Sequence, residues 1–112
     1  MSDLIYKIIS AAEWREAETA GVFKGAGIDI ADGYIHFSTA TQAAETAAKH
    51  FAGQDGLVLV AVDPAPLGAD IKWEVSRGGA LFPHLYRPLT MAEVAWVKPL
   101  PLSPTGQHIF PV

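Results

Sequence analysis

The chain has no cysteine, and charged residues make up only 18% of its 112 positions. Without cysteine, disulfide frameworks, thiolate zinc sites and cysteine nucleophiles are excluded. The low charge, set beside 50% hydrophobic residues, argues against disorder, which requires the opposite balance. Positive charge is the scarcer sign, with 8 basic residues against 12 acidic and a net charge of −4. That disfavours duplex DNA as a partner, because non-specific binding relies on Lys and Arg neutralising phosphates. Long hydrophobic runs are missing too. The longest, Leu57 to Val62, falls far short of the about 20 residues that cross a bilayer. Met1-Ser2-Asp3-Leu4 has neither the basic nor the long apolar part of a secretory signal, so a cytoplasmic location and no membrane association are expected. There is no glycine-rich phosphate loop ending in Gly-Lys-Ser/Thr, no nucleophile elbow and no His-Glu-x-x-His. The four histidines lack short paired spacing, so no metal is expected.

What is present fits one domain, residues 1–112, able to bury about two-thirds of its unfolded surface without staples. Leu4 to Ile9 reads as a strand because it is rich in β-branched residues. Ser10 and Glu13 are spaced as a capping box opening a helix over Ala11–Ala20, with Trp14 and Ala17 inward and Gly21 as its stop. The stretch Gly21 to Gly33 has no periodicity and reads as irregular. Tyr34 to Ser38 alternates, with Tyr34, His36 and Ser38 on one face and Ile35 and Phe37 on the other. Thr39 and Gln42 form a second capping box, followed by the apolar stripe Ala40, Ala43, Ala44, Ala47, Ala48 and Phe51, with Gly53 ending the helix.

The second half is dominated by strand signals. Leu57 to Val62 is apolar throughout, as in a strand buried on both faces. Asp63 to Gly68 reads as a rigid loop. Ile71 to Val75 alternates, with Ile71, Trp73 and Val75 expected toward the core and Lys72 and Glu74 away from it. Arg77-Gly78-Gly79 turns the chain into Ala80–Tyr86, where Pro83 predicts an edge or bulged strand. Thr90 to Glu93 reads as a helical turn before Val94 to Val97, and the proline-rich residues from about 99 to 112 as an extended tail. Two early helices with strands dominating afterwards give an α+β class rather than a doubly wound nucleotide fold.

The candidate chemistry is a polar set on otherwise apolar elements. His36 shares its strand face with Tyr34 and Ser38 and precedes a helix N-terminus, whose free N–H groups and partial positive charge suit an anion or ribose. The alternative is an imidazole on a solvated strand face. Glu74 is either a carboxylate acting on a ribose or a nucleophile, or an exposed acid paired with Lys72 or Arg77. His84, between Phe82 and Tyr86 on one face, either completes a wall that stacks a ring or belongs to an edge-strand aromatic cluster. Lys7, between Ile5 and Ile9, either meets an anionic ligand or snorkels outward. His50 is expected on a polar helix face, and Trp14 and Trp96 in the core.

Asp32-Gly33-Tyr34-Ile35-His36-Phe37-Ser38-Thr39-Ala40 with Gln42, together with Phe82-Pro83-His84-Leu85-Tyr86, carries a resemblance. So do Tyr6-Lys7-Ile8, Ala12-Glu13-Trp14 and Lys72-Trp73-Glu74. Over nearly its whole length the chain resembles a family of small bacterial proteins known only as a domain of unknown function. That family is a remote relative of the ADP-ribosyltransferase fold, with RNA 2′-phosphotransferases as cousins. The resemblance implies an ADP-ribosylation-like pair of split, bent sheets with two early helices and a cleft for NAD. It also implies a catalytic set of His36, Glu74 and His84, with Lys7, Ser38, Thr39, Phe82 and Tyr86 around a small nucleotide-like ligand. Tyr6 is followed by Lys7-Ile8-Ile9 where active relatives place His-Gly-Thr. This departure keeps open a non-catalytic module that recognises a metabolite or protein partner.

Two outcomes follow from the alternation at Tyr34–Ser38. His36, Glu74 and His84 should converge on one concave surface. In urea melts, Phe37→Ala should cost roughly 3–5 kcal/mol, while His36→Ala on the polar face should stay within about 0.5 kcal/mol.

Overall fold

The computed structural model describes residues 3–76 and 79–111. Arg77 and Gly78, to which the sequence assigns part of a turn, lie outside the described residues. Strand β1 (Ile5–Ser10) runs into helix α1 (Ala11–Ala20), and β2 (Val22–Phe23) and the short helix α2 (Ile28–Asp32) follow. Then come β3 (Ile35–His36), α3 (Ala40–His50), β4 (Leu57–Val62), a 3₁₀ segment (Ala65–Asp70), β5 (Ile71–Val75) and β6 (Leu81–Leu85). The chain finishes with β7 (Leu89–Thr90), a 3₁₀ turn (Met91–Glu93) and β8 (Val94–Leu100). This is an α+β arrangement of small antiparallel sheets, ordered β1-β4-β8, β2-β7 and β3-β6-β5. Among the described residues no helix is long and apolar enough to cross a membrane.

The helix boundaries follow local chemistry. Ser10 Oγ accepts from the Glu13 N–H at 3.1 Å and donates to the Glu13 carboxylate at 2.8 Å, so Glu13 reaches back to the hydroxyl. Gly21 closes α1 at φ +80°, a conformation that costs glycine little. Thr39 and Gln42 form the full reciprocal box at α3. The alanine stripe of α3 is narrower than its pattern: Ala43 and Ala47 are buried, while Ala40, Ala44 and Ala48 face outward. That helix ends at His50 with Phe51 as its cap, two residues before Gly53.

Strand β4 is the axis of the core. Val60 and Val62 pack with Ile5, Ile9, Phe23 and Phe37 on one side. Leu57, Leu59 and Ala61 pack with Tyr6, Ile8 and the buried alanines of α3 on the other. The all-apolar run is thus covered on both faces, as such a strand must be. A second join positions the cleft. Tyr6 and Ser38 exchange both backbone hydrogen bonds, at 2.7 and 2.8 Å, which ties the first sheet to the segment leaving β3.

Five expectations are corrected. Strand β6 is neither an edge nor bulged; it lies between β3 and β5. The Pro83 carbonyl accepts from the Phe37 N–H at 3.0 Å, so its missing donor faces β3, and β3 has already ended at His36. The ladder therefore loses little. Trp73 and Val75 are 46% and 71% exposed, not core, because β5 is itself the edge of its sheet and its second face is uncovered. Asp63 to Gly68 is partly a 3₁₀ segment, and the irregular stretch holds β2 and α2. The tail does not stay extended: Leu102 bridges His108, and Ile109 N–H reaches the Pro101 carbonyl at 2.8 Å.

The turn after β7 is pinned by a forked pair. Arg87 donates to both Glu93 oxygens at 2.9 and 2.7 Å and to Asp70 at 2.8 Å. Glu93 also accepts from the Thr90 N–H at 3.0 Å. Hydrogen bonds from Arg87 hold the Glu93 carboxyl down at about 2, against an ordinary 4.5. A carboxyl depressed on folding stabilises above its unfolded value and loses that contribution as pH falls through its folded value. Glu93→Gln is therefore expected to lower the urea midpoint near neutral pH, with the deficit shrinking between pH 4.5 and about 2. A deficit independent of pH would mean that packing, not charge, makes the contact.

Candidate functional site

The site lies where β3 and β6 pair beside the Tyr6–Ser38 join. His36 and His84 are register partners across β3 and β6, and their rings approach to 5.2 Å. Glu74, one strand further, meets His84 Nδ1 at 2.8 Å. His36, Glu74 and His84 thus do come together, from positions far apart in the chain. Tyr34 lies against all of them, its ring 4.6 Å from His36, 4.3 Å from His84 and 5.0 Å from Tyr86. A cavity of about 450 Å³ opens beside this cluster, its wall including Lys7, Tyr34, His36, Ser38, Phe82 and His84. That volume is within the range of roughly 300–1,000 Å³ usual for small-molecule sites.

The floor is organised by Asp29, whose side chain is 0% exposed. Lys7 Nζ lies 2.9 and 2.7 Å from its two oxygens, and His36 Nδ1 is 2.6 Å away. The backbone N–H groups of His36 and Ala26 each donate to it at 3.0 Å. Burial alone pushes the Asp29 carboxyl up, but the Lys7 charge, its hydrogen bond and the two backbone donors outweigh burial and hold it below its ordinary value. Burial also draws the Lys7 ammonium down, against the pull of Asp29. On its other side His36 Nε2 meets Asp32 at 3.0 Å. An ionised carboxylate only accepts, so with both acids charged each ring nitrogen of His36 donates. Gly25 makes room for this: at φ +113° a Cβ there would sit 2.9 Å from the Asp29 Cβ.

The second imidazole is held differently. Glu74 Oε1 accepts from the Tyr86 hydroxyl at 2.6 Å and faces His84 Nδ1 at 2.8 Å. These bonds, the one from Tyr86 foremost, keep the Glu74 carboxyl below its ordinary value. The same contact pushes the Tyr86 phenol up to about 12. Desolvation, Asp32 and Glu74 together raise the Tyr34 phenol as well. His84 Nε2 is buried and, among the described residues, has no hydrogen-bond partner.

Lys7 therefore neither snorkels nor waits for a ligand; it is committed to an internal carboxylate. Glu74 pairs with His84 and Tyr86, not with Lys72, whose ammonium lies 5.3 Å over the Tyr86 ring. Ser38 is buried and within 3.2 Å of Thr46 Oγ1. Phe82 is buried in the wall, and Tyr86 is 42% exposed at its edge. Thr39 is not brought to the cleft. Its hydroxyl caps α3, and it borders a separate hollow with Leu4, Pro64 and Trp73. His50 is exposed at the end of α3 and also borders the cavity. No sequence signal points to Asp29, and Asp32 enters only as the first residue of the Asp32–Ala40 motif. A lysine between two isoleucines in a strand signals a buried acid, but not which one. Among the described residues no group of three or more His, Cys, Asp or Glu is arranged to hold a metal.

Because His36 supports a buried carboxylate, its replacement is no longer expected to be neutral. His36→Ala should cost about 1–3 kcal/mol, the range for leaving a buried group short of a partner. Asp29→Asn should cost more, about 3–5 kcal/mol, since it strands the Lys7 ammonium. Asp29→Asn with Lys7→Met should recover part of that loss. Urea melts of the four proteins check the order, and equal costs for Asp29→Asn with and without Lys7→Met would refute the pairing.

The chain is similar to protein CC0527 from Caulobacter crescentus. Its X-ray crystal structure is 57% identical, with a TM-score of 0.90 over 95% of this chain and 93% of that one. A solution NMR structure of CC0527 is 58% identical, with a TM-score of 0.85 over 93% and 90%. No curated protein matches the chain. The family model described as "Protein of unknown function (DUF952)" matches residues 8–97, a span that includes Asp29, Tyr34, His36, Glu74 and His84. The protein belongs to that family.

Proposed function

We propose that the cleft binds a nucleotide-like small molecule, NAD foremost, and transfers an ADP-ribosyl or related group from it. The observation that carries this reading is the convergence of Tyr34, His36 and His84 on one cavity of small-ligand size, with Glu74 bonded to His84 behind it. The resemblance to ADP-ribosyltransferases and RNA 2′-phosphotransferases supports it, implying an ADP-ribosylation-like pair of bent sheets and supplying the donor class. Phe82 and Tyr34 offer ring faces for a base or nicotinamide. Ser38, which borders the same cavity, offers its hydroxyl to a ribose. Glu74 or His84 acts on the reacting group, as oxocarbenium stabiliser or as base. NAD here is a substrate, and no metal is required.

A second reading has its own support. Lys7 and His36 are already engaged by Asp29 and Asp32. A cleft whose cations are internally paired favours a module that recognises a metabolite or protein partner without turnover.

The expected outcome is that NAD, ADP-ribose or a nucleotide phosphate stabilises the protein. At 100 times its dissociation constant a ligand adds about 2.7 kcal/mol, or roughly 10 °C in melting temperature for a domain of this size. A thermal-shift series over these compounds measures it, and nicotinamide release from NAD then separates the enzyme from the binding module. No shift with any of them overturns the nucleotide reading.

A further inference from the structure

We infer that His84 Nε2 is a hydrogen-bond acceptor for a ligand hydroxyl, with Glu74 as the residue that positions it. This deepens the nucleotide reading and rests on it: it names the chemical group that the ligand presents at the floor, a sugar O–H and not a phosphate or carboxylate oxygen. Glu74 faces Nδ1 at 2.8 Å and receives the Tyr86 hydroxyl at 2.6 Å on the same oxygen. Its carboxyl is held in the ionised form by those bonds, and a carboxylate has no hydrogen to give. The proton between Glu74 and His84 is therefore on Nδ1. What remains at Nε2 is either a lone pair or a second N–H.

Burial decides between the two. His84 is 3% exposed, and Nε2 has no partner. A second proton there would bury a cationic N–H with nothing to accept it, which is far more costly than an idle lone pair. Nε2 is an acceptor, and an acceptor selects a donor. His84 is among the residues that line the cavity, and the cavity is where we place the donor.

The surroundings exclude the anionic alternative. Of the basic groups on the wall, Lys7 is bound to Asp29, and His36 lies between Asp29 and Asp32. His50 is exposed at the end of α3. A phosphate at the floor would face a lone pair at Nε2 and cations already neutralised. A hydroxyl satisfies Nε2 without disturbing either carboxylate pair. The two histidines thus have different tasks: His36 braces the floor, and His84 reads the ligand.

Long-range ¹H–¹⁵N spectra of the imidazole rings test this in the whole protein near neutral pH. The expected pattern for His84 is a protonated Nδ1 and a pyridine-type Nε2. Titration with D-ribose, and separately with NAD, should move the Nε2 resonance, while inorganic phosphate at equal concentration should leave it in place. Glu74→Ala should mix the tautomers and weaken ribose binding about tenfold, whereas Glu74→Gln, which still accepts from Nδ1, should change it less than about threefold. A protonated Nε2 in the free protein overturns the inference, as does an Nε2 moved by phosphate or by neither hydroxyl probe. If ribose moves Nε2 and no nucleotide does, the nucleotide reading fails and the acceptor stands.

Discussion

A carboxylate with no exposed surface holds this site together. Asp29 ties Lys7 of β1, the side chain and backbone N–H of His36, and the Ala26 N–H into one network. Its donors come from β1, the loop before α2, and β3, so the ion pair fixes three pieces of chain relative to one another. A buried pair of this kind is weak evidence of net stability, because desolvation consumes much of the attraction. It does set position sharply, since moving any one donor leaves a buried charge short of a partner. The floor of the cleft is built on that constraint, and Gly25 is required next to it because a side chain there would strike Asp29.

The cleft also depends on how the sheets meet. Strand β1 pairs with β4 along its length, yet Tyr6 exchanges hydrogen bonds with Ser38 on the other side. Lys7 and His36 lie next to this junction, one residue after Tyr6 and two before Ser38. The chain therefore delivers a basic residue and an imidazole to the same place through backbone pairing, before any side chain selects its contact. Pro83 contributes by what it omits: past His36 one bond of the pair remains, from the Phe37 N–H to the Pro83 carbonyl, while its return bond has no donor, and β3 ends there.

Much of this is readable in the residues, for physical reasons that also show where reading fails. The caps at Ser10 and Thr39 and the all-apolar strand Leu57–Val62 are local signals, and local hydrogen bonding or burial settles them. His36, Glu74 and His84 stand out because period-two alternation separates them from Ile35, Phe37 and Leu85. The same alternation assigns Trp73 and Val75 to the core wrongly, since it says that two faces differ but not which one is covered. That is decided by sheet order, and β5 is an edge. Asp29 is invisible for a related reason. Its segment has no period, and choosing it among 12 acidic residues as the partner of Lys7 requires the fold itself.

The pair of histidines shows how one register can yield two chemistries. His36 and His84 face each other across β3 and β6, share Tyr34, and each has a carboxylate at Nδ1. The difference lies at Nε2. For His36 that atom reaches Asp32, an acid one helical turn earlier, so both ring nitrogens are spent on the protein. For His84 it reaches nothing. A fully satisfied imidazole is held in place as part of the scaffold; a half-satisfied one keeps an unmet hydrogen bond. The asymmetry arises from a short helix, α2, that lies beside one strand and not the other.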